Sequence, residues 1–414
     1  MKRLLALVVC VAAAMLATAC APQPPAQVQP QNLTSEAAKP AMKTPPTDLE
    51  KLAERLVTQS AGVKEGEVVH ISSGPENMEL LEDIAVQVRK AGAFPLVTVT
   101  TDRMSKRMFT DVPEKYDTQL NQRDLKLADV IDAEIVVGRE TAEGLFADAD
   151  PKRMAARAKA SEPVVEAYLK RGVRTVEVDN GLYPNEWLAK QYGMSGEDLS
   201  KTFWGGVNVD YADLQTRGAQ VSAALSQGNE IHITDAGGTD LKVKVQGRKY
   251  GVSDGIISEE DMKKGAAGQS VYLPAGEVYV TPVPGTAEGK VVRAKDYFNG
   301  KEVNNLVLTF SAGKLTSITG SGPGFDLMKA AYDAAGEGKD LFAAVDFGIN
   351  PNVKLPANSA IATWVPAGTV TVGVGNNVWA GGDNKSPYGY FVSLPGTTVT
   401  LDGKPVVEAG QLKL

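Results

Sequence analysis

Residues Glu67–Thr100 read EVVHISSGPENMELLEDIAVQVRKAGAFPLVTVT. Glu67-Val68-Val69-His70-Ile71 is a short β-branched run that predicts a strand, and Ser72-Ser73-Gly74-Pro75 is the turn that ends it. Met78, Leu81, Ile84, Ala85 and Val88 then recur at the spacing of one helix face, which Ala91-Gly92-Ala93 closes. Pro95-Leu96-Val97-Thr98-Val99-Thr100 follows as a second strand. A strand, a helix and a strand in this order favour parallel pairing, because parallel neighbours need a crossover rather than a tight hairpin.

Working outward, the unit has neighbours of its own kind. Upstream, Thr47-Asp48-Leu49-Glu50 matches a capping box with Thr47 as the cap, and Leu49, Leu52, Leu56 and Val57 repeat at helical spacing behind it. Downstream, the strand Ala133–Val137, a helix across Met154–Arg171 and the strand Thr175–Val178 repeat the pattern. These elements predict an α/β domain over residues 48–228, built on an open, mostly parallel sheet. The first strand leads into Ser72-Ser73-Gly74-Pro75-Glu76 rather than a glycine-rich phosphate turn, so no nucleotide cofactor is expected.

After a helical stretch from Leu214 to Leu225 the texture changes. Short β-branched runs at Glu230–Thr234, Leu241–Val245, Gly276–Val280 and Leu306–Phe310 are separated by Gly, Pro and Asp turns. They predict a second domain over residues 229–414, mostly antiparallel β with a helix around Phe325–Ala335, so this half is α+β. Gly320-Ser321-Gly322-Pro323-Gly324-Phe325 resembles a phosphate loop only in its glycines; without Lys-Ser/Thr it reads as the turn into that helix.

The amino-terminal end predicts export. Lys2 and Arg3 precede an apolar run from Leu4 to Leu16, and Ala17-Thr18-Ala19-Cys20 has a small-residue cleavage pattern. Residues 1–20 are therefore expected to be a lipoprotein signal, with Cys20 lipidated and the membrane as a partner. Residues 21–47, rich in Pro, Gln and Ala and free of aromatic residues, are expected to be a disordered tether. The expected location is the cell envelope, on the periplasmic side of the outer membrane. Cys10, the other cysteine, falls within the signal, leaving no disulfide and no thiolate site in the mature chain. A net charge of −7 without a basic stripe argues against a nucleic-acid partner.

Several dispersed segments carry a resemblance. They are Phe203-Trp204-Gly205-Gly206-Val207, Thr234–Val243, Leu273–Pro282 with Gly285–Gly289, Val345–Pro351, and Gly368–Gly403, read GTVTVGVGNNVWAGGDNKSPYGYFVSLPGTTVTLDG. Together they resemble the thermophilic-type metallo-aminopeptidases, the family of aminopeptidase T, in order and spacing. The resemblance implies a two-domain fold, a homodimer, and a pair of metal ions held by two carboxylates, two imidazoles and an aspartate. Carried across, Glu277 stands on the first glutamate and Asp346 on the second, while Thr371 and Gly389 stand on the two histidines and Phe391 on the aspartate. Glycine and phenylalanine offer a metal no side-chain donor, and a neutral hydroxyl is a poor substitute for imidazole.

The two histidines of the chain, His70 and His232, lie outside these motifs and are read as satisfied by local hydrogen bonds. Taken alone, Glu277 reads as a solvated strand face and Asp346 as a support for the Asn350-Pro351 turn. Tyr388, Tyr390, Phe391 and Trp379 are placed near the former metal site, to fill the space the metals would occupy or, as the alternative, to line an apolar binding cleft, with filling the expected outcome. No catalytic residue and no cofactor is assigned, and the first reading is a non-catalytic member of the fold that binds a peptide or small molecule. The second is an active metal-dependent aminopeptidase or other hydrolase with an altered site, using a divalent metal on Glu277 and Asp346. The third is a scaffold whose old cleft is plugged.

Overall fold

The computed structural model describes residues 47–138, 142–146, 148–298, 300–356, 363–386 and 388–414. Cys20 and nearly all of the expected tether lie outside these residues. The first half contains α1 (Leu49–Arg55), β1 (Val68–Ser73), α2 (Met78–Lys90), β2 (Phe94–Val99), α3 (Asp102–Thr110), α4 (Gln122–Ala128), β3 (Ala133–Val137), α5 (Pro151–Arg171) and β4 (Arg174–Val178). It continues with α6 (Glu186–Gln191), α7 (Gly196–Val207) and α8 (Tyr211–Gln227). The second half contains β5 (Glu230–Thr234), β6 (Asp240–Lys244), β7 (Tyr250–Ser253), α9 (Glu259–Met262), β8 (Ser270–Leu273), β9 (Glu277–Val280), β10 (Glu288–Phe298), β11 (Lys301–Ser311) and β12 (Lys314–Ser321). After α10 (Pro323–Ala334) come β13 (Phe342–Gly348), β14 (Val370–Gly375), β15 (Gly389–Leu394), β16 (Thr398–Leu401), β17 (Lys404–Glu408) and β18 (Gln411–Leu412).

The strands build three sheets. A parallel sheet runs β2-β1-β3-β4-β8, and antiparallel sheets run β12-β11-β10-β6-β5-β16-β17-β18 and β15-β14-β13-β9-β7. An α/β half on a parallel sheet beside a β half is the fold class expected from the sequence. One pairing was not foreseen: β8 pairs in parallel with β4, so the first sheet takes its fifth strand from residues 270–273. Four residues with a simple alternation say nothing about which sheet they join.

Local chemistry explains the element starts. α1 is capped by Asp48, whose side chain accepts from the Lys51 amide, and not by Thr47 as expected. Aspartate caps as well as threonine, and the Thr47 hydroxyl is taken by Asn208 Nδ2 at 2.7 Å. α2 buries Leu81, Ile84 and Val88 of its expected stripe against the parallel sheet together with Leu80, whereas Met78 at its first turn is exposed.

The opposite face of that sheet carries a buried polar cluster. His70 Nδ1 lies 2.8 Å from Glu134 Oε1 and Nε2 lies 3.1 Å from Thr98 Oγ1, with both His70 and Glu134 buried. On α4, Asp124 is 1% exposed, bonded to Asn121 and 2.5 Å from Arg123 Nε. Burial pushes the Asp124 carboxyl up to about 6, against the pull of Arg123. A carboxyl whose folded pKa is raised favours folding below its unfolded value and loses that contribution as pH rises through the folded value. Asp124→Asn should therefore gain stability relative to the parent by on the order of 1–3 kcal/mol between pH 4 and pH 7.5. Urea unfolding at the two pH values checks this, and a pH-independent difference would contradict it.

Candidate functional site

The β15-β14-β13-β9-β7 sheet assembles the site through its register. Ser393, Thr371, Asp346, Tyr279 and Gly251 are direct cross-strand neighbours in one row. Directly opposed residues share a face, as do residues two apart on one strand. Glu277, opposite Gly348 and Ser253, therefore joins the same face, as do Phe391 opposite Gly373 and Gly389 opposite Gly375. All five positions singled out by sequence lie on that face; Asp346 and Thr371 are neighbours, while Glu277 and Gly389 stand toward its opposite ends. Val278, Val345, Phe347, Val370 and Val372 alternate with them and point the other way, into the core. The runs Val345-Asp346-Phe347 and Val370-Thr371-Val372-Gly373 thus place function on one face and packing on the other.

A short connection delivers Glu277. β8 ends the parallel sheet at Leu273, and after Pro274-Ala275-Gly276 the chain enters β9. Gly276 has φ +131°, and a β-carbon there would lie 2.6 Å from that of Asn350. Asn350 is fully buried and donates from Nδ2 to Ala275 O at 2.6 Å and to Gly206 O at 3.0 Å. Its Oδ1 accepts from the Asn352 amide at 2.9 Å. One amide side chain thereby ties the end of α7, the approach to Glu277 and the exit of β13.

The two carboxylates are deeper than the sequence alone implied. Glu277 is 6% exposed, not a solvated face, and its Oε2 meets no hydrogen-bond partner among the described residues. Asp346 is 3% exposed, and the Asn350-Pro351 turn it was expected to support is closed by Asn350 itself. Thr371 is buried with its hydroxyl 3.0 Å from that of Ser393, a partner no sequence motif marked.

The aromatic residues divide between the faces. Phe391 lies over Gly373, where a β-carbon would come within 2.3 Å of the ring. Trp379 meets Phe391 edge-on at 5.6 Å between centroids and Tyr279 at 5.1 Å. Its turn, Val378–Ala380, is pinned by Trp379 Nε1 donating to Asn376 O and by buried Asn377, which donates to Ala343 O at 3.1 Å. Tyr390 departs from expectation: it projects from the opposite face and donates to Asp296 Oδ2 at 2.7 Å. Burial holds the Asp296 carboxyl above its usual range. Tyr388 packs on Tyr332 at 5.5 Å. The tyrosines therefore do not fill the site face, and Phe391 and Trp379 keep part of their surface in solvent.

Neither histidine reaches this face. His70 lies within the parallel sheet, and His232 Nε2 is 2.7 Å from Asp240 Oδ1 on β6. Among the described residues no group of three or more His, Cys, Asp or Glu is arranged to hold a metal ion.

The fold is thus a parallel α/β sheet joined to antiparallel sheets, one of which places two carboxylates on a single face. The chain belongs to the thermophilic metalloprotease (M29) family, whose model matches residues 46–334. Wild-type AmpT from Thermus thermophilus is similar in structure, with a TM-score of 0.66 and 16% identity over 88% of this chain and 99% of that one. So is 2,5-dihydroxypyridine dioxygenase from Pseudomonas putida KT2440, with a TM-score of 0.54 and 15% identity over 88% of this chain and 96% of that one. No curated protein matches the chain in sequence. A peptidase and a dioxygenase on one fold illustrate that function resides in the site. Asp346, Thr371, Gly389 and Phe391 all lie beyond the matched residues.

The site does not fit the two-metal centre that the family resemblance implies. Its side-chain donors are two carboxylates and a hydroxyl pair engaged with each other, while Gly389 has no side chain and Phe391 presents a ring. A transition-metal pair favours imidazole and carboxylate donors converging on open coordination positions.

Proposed function

We propose that this protein is a non-catalytic member of its family, anchored to the cell envelope by a lipid on Cys20, that uses the altered sheet face to bind a small molecule or peptide. The observation that carries this reading is the local closure of the metal positions. The Thr371 hydroxyl is paired with Ser393, and the Phe391 ring covers Gly373. Hydrolysis by a metal pair needs an activated water and a polarised carbonyl, and three of the five groups that would hold the ions, at Thr371, Gly389 and Phe391, are replaced. Binding is favoured over a plugged scaffold because Tyr390 turns to the opposite face and the Trp379 and Phe391 rings keep solvent-facing surface.

A second reading, an altered metal-dependent hydrolase, draws support from the buried Glu277 Oε2, which has no hydrogen-bond partner among the described residues and is an oxygen suited to a cation. Cleavage of leucyl-p-nitroanilide by the chain supplied with Co²⁺ or Zn²⁺ separates the two. The expected result is no turnover above a protein-free control, whereas turnover that disappears in Glu277→Gln would establish the hydrolase. Radiolabelled palmitate should enter the parent chain in a bacterial host and not Cys20→Ser; equal labelling of both would refute the anchor.

A further inference from the structure

We infer that the outer edge of β2 is a docking strand for an extended, apolar peptide with a basic residue at its amino end. β2 closes the side of the parallel sheet opposite β8, the strand that leads to Glu277, and among the described residues no strand pairs with its outer edge. The Phe94 amide donates to Glu67 O at 2.7 Å and the Thr100 amide to Ser73 O at 3.0 Å, so the even-numbered residues serve β1. Pro95, Val97 and Val99 therefore turn their main-chain groups outward, offering the carbonyls of all three and the amides of Val97 and Val99. An edge strand left open to water ordinarily carries charge or is covered. This one has no charged residue, and Phe94, Leu96, Val97 and Val99 are all exposed, Phe94 by 54% and Val97 by 43%. Open backbone groups between apolar side chains are the template for strand addition, in which main-chain bonds give affinity and side chains give selectivity.

Charge decides the direction of the incoming strand. At the carboxyl end of β2 a cavity of about 230 Å³ lies between Gly74–Glu76 and Thr100–Arg103, where Glu76 and Asp102 set two acids against the one base, Arg103. At the other end the Arg89 guanidinium lies 5.0 Å over the Phe94 ring. A basic residue is thus favoured beyond Val99 and opposed beside Phe94. Antiparallel addition, which is also the slightly stronger pairing, puts the amino end of the peptide at the cavity. The peptide residue across from Val97 then exchanges two hydrogen bonds with it, and the residue two earlier faces Val99. The residue two earlier again stands across from Thr101 and brings its cation to Glu76 and Asp102.

Isothermal titration of the full mature chain tests the assignment, with the end-blocked peptide Lys-Thr-Val-Thr-Val-Thr-Val-Thr as the probe and its counterpart with Glu in place of Lys as the control. The lysine peptide should bind saturably and at least about tenfold more tightly than the glutamate peptide. Val97→Pro, which removes an outward amide and leaves the bonds to β1 in place, should weaken it at least about tenfold. Glu76→Gln should narrow the preference for lysine several-fold, and this variant stands if Val97→Pro fails to fold. No saturable binding, equal affinity for the two peptides, or unchanged affinity in Val97→Pro would each overturn the inference. A parent that sediments as a dimer beside a monomeric Val97→Pro would also overturn it, because a second copy would then hold the edge. So would binding seen only after deletion of residues 21–46, which would give the edge to the chain's own segment.

Discussion

Asn350→Ala should lower the free energy of unfolding by roughly 2–4 kcal/mol, the scale of losing several buried hydrogen bonds at once. The variant strips Ala275 O of its 2.6 Å donor, removes a donor from Gly206 O at the end of α7 and frees the Asn352 amide. These groups belong to three separate elements, so the effect is a loosening of the junction between the parallel sheet and the site sheet. Asn350→Asp should do no better, since a carboxylate offers neither carbonyl a proton. Urea unfolding followed by circular dichroism measures both, and a loss below about 0.5 kcal/mol in either, the range of an ordinary surface change, would show that the junction is held by other contacts.

Phe203→Ala should cost about 3–5 kcal/mol, as large aromatic truncations in well-packed cores do. Phe203 on α7 is fully buried, with ring centroids 4.8 Å from Trp204 and 5.2 Å from Tyr183, both at steep interplanar angles. Tyr183 in turn donates to Asn77 Oδ1, and Asn77 Nδ2 donates to Ser73 Oγ at the end of β1. The cavity thus opens where α7 meets the C-terminal edge of the parallel sheet. Phe203→Leu retains much of the volume and should recover most of the loss. Equal destabilisation by Leu and Ala would mean that ring geometry, rather than filled space, sets the stability.

The parallel half was legible because its signals are local. The period-two and period-3.6 runs of Glu67–Thr100 are long enough to declare themselves, and β1, α2 and β2 fall within a few residues of the predicted spans. What stayed hidden depends on pairing between distant strands. That β8 joins the first sheet, that Ser393 sits across from Thr371, and that Tyr390 and Phe391 take opposite faces all follow from register, which no single strand encodes. The exchange of Asp48 for Thr47 as the helix cap reflects two adjacent residues of similar capping strength, with Asn208 claiming the threonine. At the site, the five positions came from motif resemblance, and the alternation of valines with Asp346, Thr371 and Gly373 explains why they share a face. The depth of Glu277 could not be read from a strand whose other face is also apolar.

The account turns on whether the site face holds the metals of its family, and metal content measures that directly. The mature chain is stripped with chelator, equilibrated with excess Zn²⁺ or Co²⁺, desalted, and assayed by inductively coupled plasma mass spectrometry alongside Glu277→Gln. The predicted result is metal far below one ion per chain and equal in the parent and the variant. A stoichiometric ion, or a pair, retained by the parent and lost from Glu277→Gln would contradict it.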